Sequence, residues 1–198
     1  MAKAMIRGIL DSKRVTAGEI IASAKSDTTR EKISRELGIC VAQTNSEVVD
    51  FSDVVFLAVK PQYYEEVISE LREEIRQEQI IVTIAPGKTL VWLAERLGTD
   101  KKIIRTMPNT PAMVKEGMMG MCKNDAVTDQ EMQQVKEICE SFGKAEEVSE
   151  SLLDVVVGVA GSSPAYVFMF IEALADAAVA DGMPRAQAYK FAAQAVLG

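Results

Sequence analysis

The chain has 198 residues, a formal net charge of -7 and 48% hydrophobic residues, which is typical of a globular protein of one large domain or slightly more. It contains no histidine, so Ser-His and Cys-His catalysis and the usual zinc sites are excluded, and its three cysteines lack the spacing of metal ligands. There is no basic block for nucleic acid, no secretory signal and no apolar run that we expect to span a membrane. We therefore expect a cytoplasmic protein with a small-molecule ligand, without a metal, nucleic-acid or membrane partner.

Helix and strand patterns alternate over the first three quarters of the chain. Helices are predicted at residues 1–12, 28–37 (ended by Gly38), 45–51, 63–76, 89–97 and 128–142, and strands at 19–23, 39–42, 53–59, 80–84 and 102–107. Residues 53–59 are continuously apolar, which is typical of a buried central strand. This alternation predicts right-handed βαβ units in a mostly parallel, doubly wound sheet of Rossmann-like type.

The pattern changes near residue 150. From residue 151 onward the sequence is alanine-rich, apolar and helical, with one helix over residues 164–180 that Ser162 or Ser163 is expected to cap. The apolar side chains at helical spacing on this helix are Phe168, Ile171, Leu174 and Ala178, with Val167 and Phe170 widening the stripe. An apolar helix face must be buried by something, so we predict a subunit interface here. The expected domains are a dinucleotide-binding domain over residues 1–150 and the start of an all-α oligomerisation and substrate domain over residues 151–198.

A polar loop bracketed by two prolines follows the strand at residues 102–107. Pro108 and Pro111 fix their own φ angles and push the preceding residues towards extended backbone, so Asn109 and Thr110 are held in a shaped loop. In open α/β sheets, ligands bind at the carboxyl ends of the strands. Asn109 and Thr110 are therefore candidate ligand contacts.

Three motifs together carry a resemblance to a known family. They are Ile104-Arg-Thr-Met-Pro-Asn-Thr-Pro111, Ala58-Val-Lys-Pro-Gln62 and Ser163-Pro-Ala-Tyr166. The chain resembles the pyrroline-5-carboxylate reductases, which use NAD(P)H to reduce a cyclic imine to proline. The resemblance implies cofactor contacts at Ala58, Val59, Lys60, Pro61, Ile84, Ala85, Asn109 and Thr110, with the Asn109 loop holding the nicotinamide near the imine carbon. It also implies assembly into a homodimer or higher homo-oligomer through the helical domain.

The residues after the strand at 19–23 bear on the choice of cofactor. A carboxylate at this strand end would bind the ribose 2′-hydroxyl of NAD and repel a 2′-phosphate. Ser23, Lys25 and Ser26 occupy the position instead, so we predict NADPH, with NADH as the alternative. Asp27 is evidence against this prediction, unless it serves only as a helix N-cap. Asn45 matches a family position on the adenosine side, and it is equally well placed to cap the short helix that follows.

Both ends of the sequence bear on its expected activity. A doubly wound dinucleotide fold begins with a strand and a glycine-rich turn before the first helix, and here Met1 and Ala2 match the residues just after that turn. We therefore expect the first strand and the turn to be missing. The family's Ser-Pro-Gly-Gly-Thr-type substrate loop has no counterpart either. The expectation is that residues 1–198 alone bind cofactor poorly and turn over little or no pyrroline-5-carboxylate.

Two other functions remain open on the sequence. A hydroxyacid-type dehydrogenase would need a catalytic lysine in the helical domain, where Lys190 is the sole lysine. A non-catalytic nucleotide-binding or oligomerisation fragment would need no catalytic group. For the imine reductase we assign no catalytic residue, because a protonated cyclic imine is already electrophilic.

Overall fold

The computed structural model describes all 198 residues, which form two compact units, Met1–Val156 and Val157–Gly198. In the first unit, helices and strands alternate as predicted. Its elements are α1 (Ala2–Ser12), β1 (Ile21–Ala22), α2 (Asp27–Leu37), β2 (Cys40–Val41), α3 (Asn45–Phe51), β3 (Val54–Leu57), α4 (Tyr64–Leu71), β4 (Ile80–Thr83), α5 (Leu90–Leu97), β5 (Lys102–Met107), β6 (Gly117–Lys123), α6 (Asp129–Cys139), β7 (Gly143–Glu147) and α7 (Leu153–Val156).

The strands form two sheets. β1 and β2 pair in parallel, and the other five strands are ordered β3-β4-β5-β6-β7. Strands β3, β4 and β5 are parallel, β6 runs antiparallel to β5, and β7 is parallel to β6. Leu57 aligns with Thr83, and Thr83 with Arg105, so the carboxyl ends of three neighbouring strands meet at one edge. The prediction of a mostly parallel, Rossmann-like sheet is confirmed.

Several of the predicted elements in this unit differ in the structure. The strands predicted at residues 19–23 and 39–42 are shorter, and the helix predicted to reach residue 142 ends at Cys139. The predicted central strand at residues 53–59 is β3, which lies at the end of the five-stranded order and alternates between half-buried and buried residues, whereas β4 is buried throughout. The helix predicted to reach residue 76 ends at Leu71. Beyond it the chain turns to bury Gln79, whose Nε2 donates to the carbonyls of Val49 and Ser52 at 2.7 and 2.6 Å.

Helices cover both faces of the five-stranded sheet. One apolar cluster joins alternate sheet residues to α1 and α6, and a second joins the opposite face to α4 and α5. Helix α1 approaches the turn Glu140–Phe142 closely at Gly8, where an added Cβ would lie 2.6 Å from the Cβ of Phe142. Only glycine permits this packing of α1.

The second unit is a π-helical turn, Val157–Gly161, followed by α8 (Ser163–Ala180) and α9 (Arg185–Leu197). Its small core consists of Ala175, Ala188 and Ala192. Ser162 occupies the N-cap position of α8, but its hydroxyl donates to the carbonyl of Val157 at 3.2 Å, so the predicted serine cap is wrong.

The apolar stripe predicted on α8 is divided between two environments. Ile171 and Ala178 pack against the alanine core of the second unit. Phe168 and Leu174 are exposed, at 68% and 40%. The exposed apolar side chains of this helix are Tyr166, Val167, Phe168, Met169, Phe170 and Leu174. The exposed large apolar side chains of α8 therefore end at Leu174, before Ala178, so this surface is shorter at its C-terminal end than the stripe predicted from the sequence.

One helical stretch of the chain, Glu150–Ala180, is long and apolar enough to cross a membrane when only length and composition are considered. The expectation that no run would reach this threshold was wrong. A single stretch of this kind is weak evidence for a membrane span, because an apolar face that meets another protein passes the same test.

Candidate cofactor-binding site

Asn45 joins the end of β1 to helix α4. The hydroxyl of Ser23, just after β1, donates to Asn45 Oδ1 at 2.7 Å, and Asn45 Nδ2 donates to Glu70 Oε2 at 2.9 Å. The alternative role of Asn45 as a helix cap is wrong, because Thr44 is the N-cap of α3 and its hydroxyl accepts from the N–H of Glu47. The structure therefore places Ser23 and Asn45 in direct contact.

Lys25 brings this strand end beside the segment after β3. Its ammonium lies 5.5 Å from the ring centroid of Tyr63, in the turn Pro61–Tyr63, and it makes no ion pair. A cation over an aromatic face is held by the ring's quadrupole while remaining accessible to solvent. Lys25 is therefore an available positive charge at this edge.

Ser26 and Asp27 begin helix α2. Ser26 is the N-cap, and its hydroxyl accepts from the N–H of Thr29 at 3.3 Å, so a capping role for Asp27 is wrong. The Asp27 carboxylate instead pairs with Arg30, which also donates to the carbonyl of Ala24. The negative charge at this strand end is therefore balanced by a neighbouring guanidinium.

The segments after β3 and β4 are tied together by Tyr64. This side chain is fully buried, and its hydroxyl donates to the carbonyl of Leu57 and accepts from the N–H of Ile84 at 3.4 Å. Burial raises the pKa of Tyr64 to about 12, so the phenol stays protonated. The bridge sets Ala58, Val59, Lys60 and Pro61, most of them exposed, beside Ile84 and the buried Ala85.

Asn109 is a structural bridge as well as a loop residue. It is 9% exposed, and its Oδ1 accepts from the N–H of Met118, the second residue of β6, at 2.8 Å. Thr106 belongs to the same motif and lies in β5. Its hydroxyl donates to the carbonyl of Thr83 at 2.8 Å and so joins β5 to β4. Thr110 is exposed and begins the turn Thr110–Val114. The amide thus fixes the loop that presents Thr110.

Met1 and Ala2 lie at the N-terminus of α1, apart from the strand-end contacts described above. No side chain caps the first turn of α1. The first N–H groups of a helix lack intrahelical partners and favour anions. Lys3 in this turn pairs with Glu36 of α2. A helix N-terminus alone does not define a site, so both residues stay predictions.

Sequence reasoning missed Arg105, a buried cation on β5. It is 6% exposed, and its Nη1 donates to Glu150 Oε1 at 2.9 Å. The available signal was a charged residue directly after the two apolar residues Ile103 and Ile104 in the middle of the strand, since such a charge is rarely buried without a partner. Tyr64 was missed because nothing in the sequence distinguishes it from the exposed Tyr63.

Two family models match the chain. Residues 150–198 match the model described as pyrroline-5-carboxylate reductase dimerisation, and residues 1–87 match the model described as NADP oxidoreductase, coenzyme F420-dependent. The chain is 48% identical to the pyrroline-5-carboxylate reductase of Escherichia coli (strain K12), a match that covers 100% of this chain and 74% of that protein. It is 38% identical to the enzyme of the same name from Arabidopsis thaliana, with 100% and 71% covered.

Solved structures agree with these relatives. A pyrroline-5-carboxylate reductase from Coxiella burnetii superposes with a TM-score of 0.93 at 29% identity, covering 100% of this chain and 73% of that one. The Plasmodium falciparum pyrroline carboxylate reductase with NADP bound gives a TM-score of 0.89 at 27% identity, covering 99% and 72%. Prephenate dehydrogenase from Aquifex aeolicus, at a TM-score of 0.65 and 20% identity over 86% of this chain and 66% of that one, shares the fold alone.

Proposed function

Because this chain belongs to the pyrroline-5-carboxylate reductase family, we propose that it reduces 1-pyrroline-5-carboxylate to L-proline with NAD(P)H as hydride donor. The observation that carries this function is the 48% identity to a reductase of that name over all 198 residues. The match of residues 150–198 to a dimerisation model supports homo-oligomeric assembly. The hydroxyacid dehydrogenase and the non-catalytic fragment have no comparable support.

The charges of the residues that follow β1 are compatible with the 2′-phosphate of NADPH. Lys25 is an unpaired cation there, and the Asp27 carboxylate is paired with Arg30, so little opposes a 2′-phosphate. We assign the 2′-phosphate to Lys25 and Ser26, and the adenosine ribose to Ser23 and Asn45. A preference for NADPH over NADH follows from this assignment.

The remaining predicted contacts follow the strand ends towards β5. The middle of the cofactor is assigned to Ala58, Val59, Lys60, Pro61, Ile84 and Ala85, the nicotinamide end to Asn109 and Thr110, and the pyrophosphate to the N–H groups at Met1 and Ala2. Residues 1–150 thereby act as the dinucleotide-binding domain. Residues 151–198 supply the start of the oligomerisation and substrate domain, with subunits meeting through α8.

Bound NADPH supplies the hydride, and the chain supplies position and exclusion of water. Asn109 Oδ1 accepts from the N–H of Met118, so the Asn109 side chain fixes the shape of the loop. A protonated imine needs no strong acid from the protein. The absence of histidine is therefore compatible with this reaction. We place the protein in the cytoplasm, where NADPH and free amino acids are available.

The test is an assay of the complete protein with 1-pyrroline-5-carboxylate and NADPH. The expected result is loss of NADPH absorbance with an equimolar gain of proline, detected by mass spectrometry. A parallel assay with hydroxyacids and NADP⁺ tests the dehydrogenase alternative. Turnover of hydroxyacids without formation of proline would overturn the proposal.

A further inference from the structure

The carboxylate of Glu150 accepts hydrogen bonds from two separate elements. Its Oε1 receives the N–H of Leu90 at 2.7 Å and Arg105 Nη1 at 2.9 Å. Leu90 is the first residue of α5, and Arg105 lies within β5. Glu150 itself begins the turn Glu150–Leu152 and is the first residue matched by the dimerisation model.

The electrostatics favour this arrangement. A carboxylate at the N-terminus of α5 meets unpaired N–H groups and the positive end of the helix dipole. The Arg105 side chain is only 7% exposed and that of Glu150 29%, so the pair is shielded from solvent. Such charge-assisted hydrogen bonds are short, directional and stronger than neutral ones. Glu150 therefore fixes the distance between α5 and β5.

Each of these elements adjoins a loop at the candidate cofactor edge. Helix α5 follows the segment that begins with Ile84 and Ala85, and β5 leads into Asn109. The contacts of Ser23, Lys25 and Asn45, in contrast, involve α3, α4 and the turn Pro61–Tyr63. Glu150 thus acts on one end of the candidate site and not on the other.

We propose that Glu150 is a positioning residue for the middle and the nicotinamide end of the site: through Leu90 and Arg105 it holds the Ile84 loop and the Asn109 loop at their working separation. The inference rests on the proposed function. It gives the first residue matched by the dimerisation model a role in hydride transfer.

The test compares Glu150→Ala and Glu150→Gln with the wild-type oligomer, well below the unfolding temperature of each protein. Glu150→Ala is expected to lower kcat/KM for 1-pyrroline-5-carboxylate by about tenfold or more, since small misplacements of reacting groups reduce rates strongly. Glu150→Gln keeps an acceptor oxygen, so its kcat/KM should lie between those of the wild type and Glu150→Ala. Affinity for adenosine 2′,5′-bisphosphate, which lacks the nicotinamide, should stay within about twofold of wild type.

Asp154→Asn is the matched control. Asp154 Oδ1 lies 3.9 Å from Arg105 Nη2 and its side chain is 92% exposed, so this variant should retain wild-type kcat/KM. Wild-type kcat/KM in Glu150→Ala would overturn the inference, as would a parallel loss of adenosine 2′,5′-bisphosphate binding. An inactive wild type would instead contradict the proposed function, so the two failures are distinguishable.

Discussion

The buried phenol of Tyr64 donates to the carbonyl oxygen of Leu57, the last residue of β3. The hydroxyl oxygen of Tyr64 also accepts from the N–H of Ile84, just after β4. One side chain from α4 therefore satisfies main-chain groups at two neighbouring strand ends. Those strand ends lead into six of the fourteen predicted cofactor contacts.

Replacing Tyr64 with Phe should lower the free energy of unfolding by about 1–3 kcal/mol, because it leaves buried main-chain groups without a partner. The measurement is urea denaturation at one fixed protein concentration, since assembly contributes to apparent stability. Tyr63→Phe is the control, because Tyr63 is 40% exposed and keeps its ring under Lys25. Equal losses in both variants would show that the Tyr64 bridge contributes nothing specific.

Replacing Lys25 with Gln should raise KM for NADPH by about tenfold, since a lost charge-assisted hydrogen bond costs about 1.5–3 kcal/mol. KM for NADH should change little, because NADH has no 2′-phosphate. Lys32→Gln on α2 is the control, since Lys32 is 60% exposed and lies 4.0 Å from Glu36. A clear wild-type preference for NADH would contradict the assignment of Lys25.

Replacing Leu174 with Glu should dissociate or weaken the oligomer, because the charge would be buried without a partner against another copy. Sedimentation velocity measures the outcome. Val91→Glu is the matched control: Val91 is also an exposed apolar residue, at 65%, but it lies in α5, outside residues 150–198. A monomeric wild type, or an unchanged assembly of the Leu174 variant, would refute the interface.

The three thiols should differ in reactivity. Cys40 is exposed, whereas burial raises the pKa of Cys122 to about 11 and that of Cys139 to about 12. Because the thiolate is the nucleophile, iodoacetamide at neutral pH should label only Cys40 in the folded protein and all three after denaturation. Mass spectrometry counts the labels, and rapid native labelling of Cys139 would contradict the structure.

The same two pKa shifts give a pH dependence of stability. The folded protein holds the Cys122 proton to about pH 11, whereas the unfolded chain releases it near the ordinary value of 9.0. Above that ordinary value the folded state binds more protons, so stability falls with rising pH. The contribution of the protonated Cys122 thiol to the free energy of unfolding is complete below pH 9.0, and it is lost as the pH approaches about 11.

Local sequence signals, such as capping residues and glycines, were sufficient to predict where several elements begin or end. The bounds of α3 and β5 agree with the sequence prediction, and the helix predicted to begin at residue 128 is α6, whose N-cap is Thr128 with Glu131 completing a capping box. These elements begin and end at residues whose side chains or backbone decide the boundary locally. The same holds for Gly38, whose φ of 67° ends α2.

Strands β6 and β7 were missed for physical reasons. β6 consists largely of glycine and methionine, and β7 is a polar segment in which only Ala145 is buried, so neither shows the β-branched or alternating pattern of a strand. β6 forms by pairing with β5, and β7 by pairing with β6. Since the partner of Asn109 lies on β6, the sequence could indicate a polar loop but not its structural hydrogen bond.

The close approach of Gly8 to Phe142 has a consequence for biosynthesis. It joins α1 to a turn near the end of the unit Met1–Val156. During translation, α1 leaves the ribosome long before its packing partner exists, and long-range contacts of this kind form late. Phe142 belongs to the same apolar cluster as Met5 and Ile9, so this part of the packing of α1 cannot form until Phe142 has been synthesised.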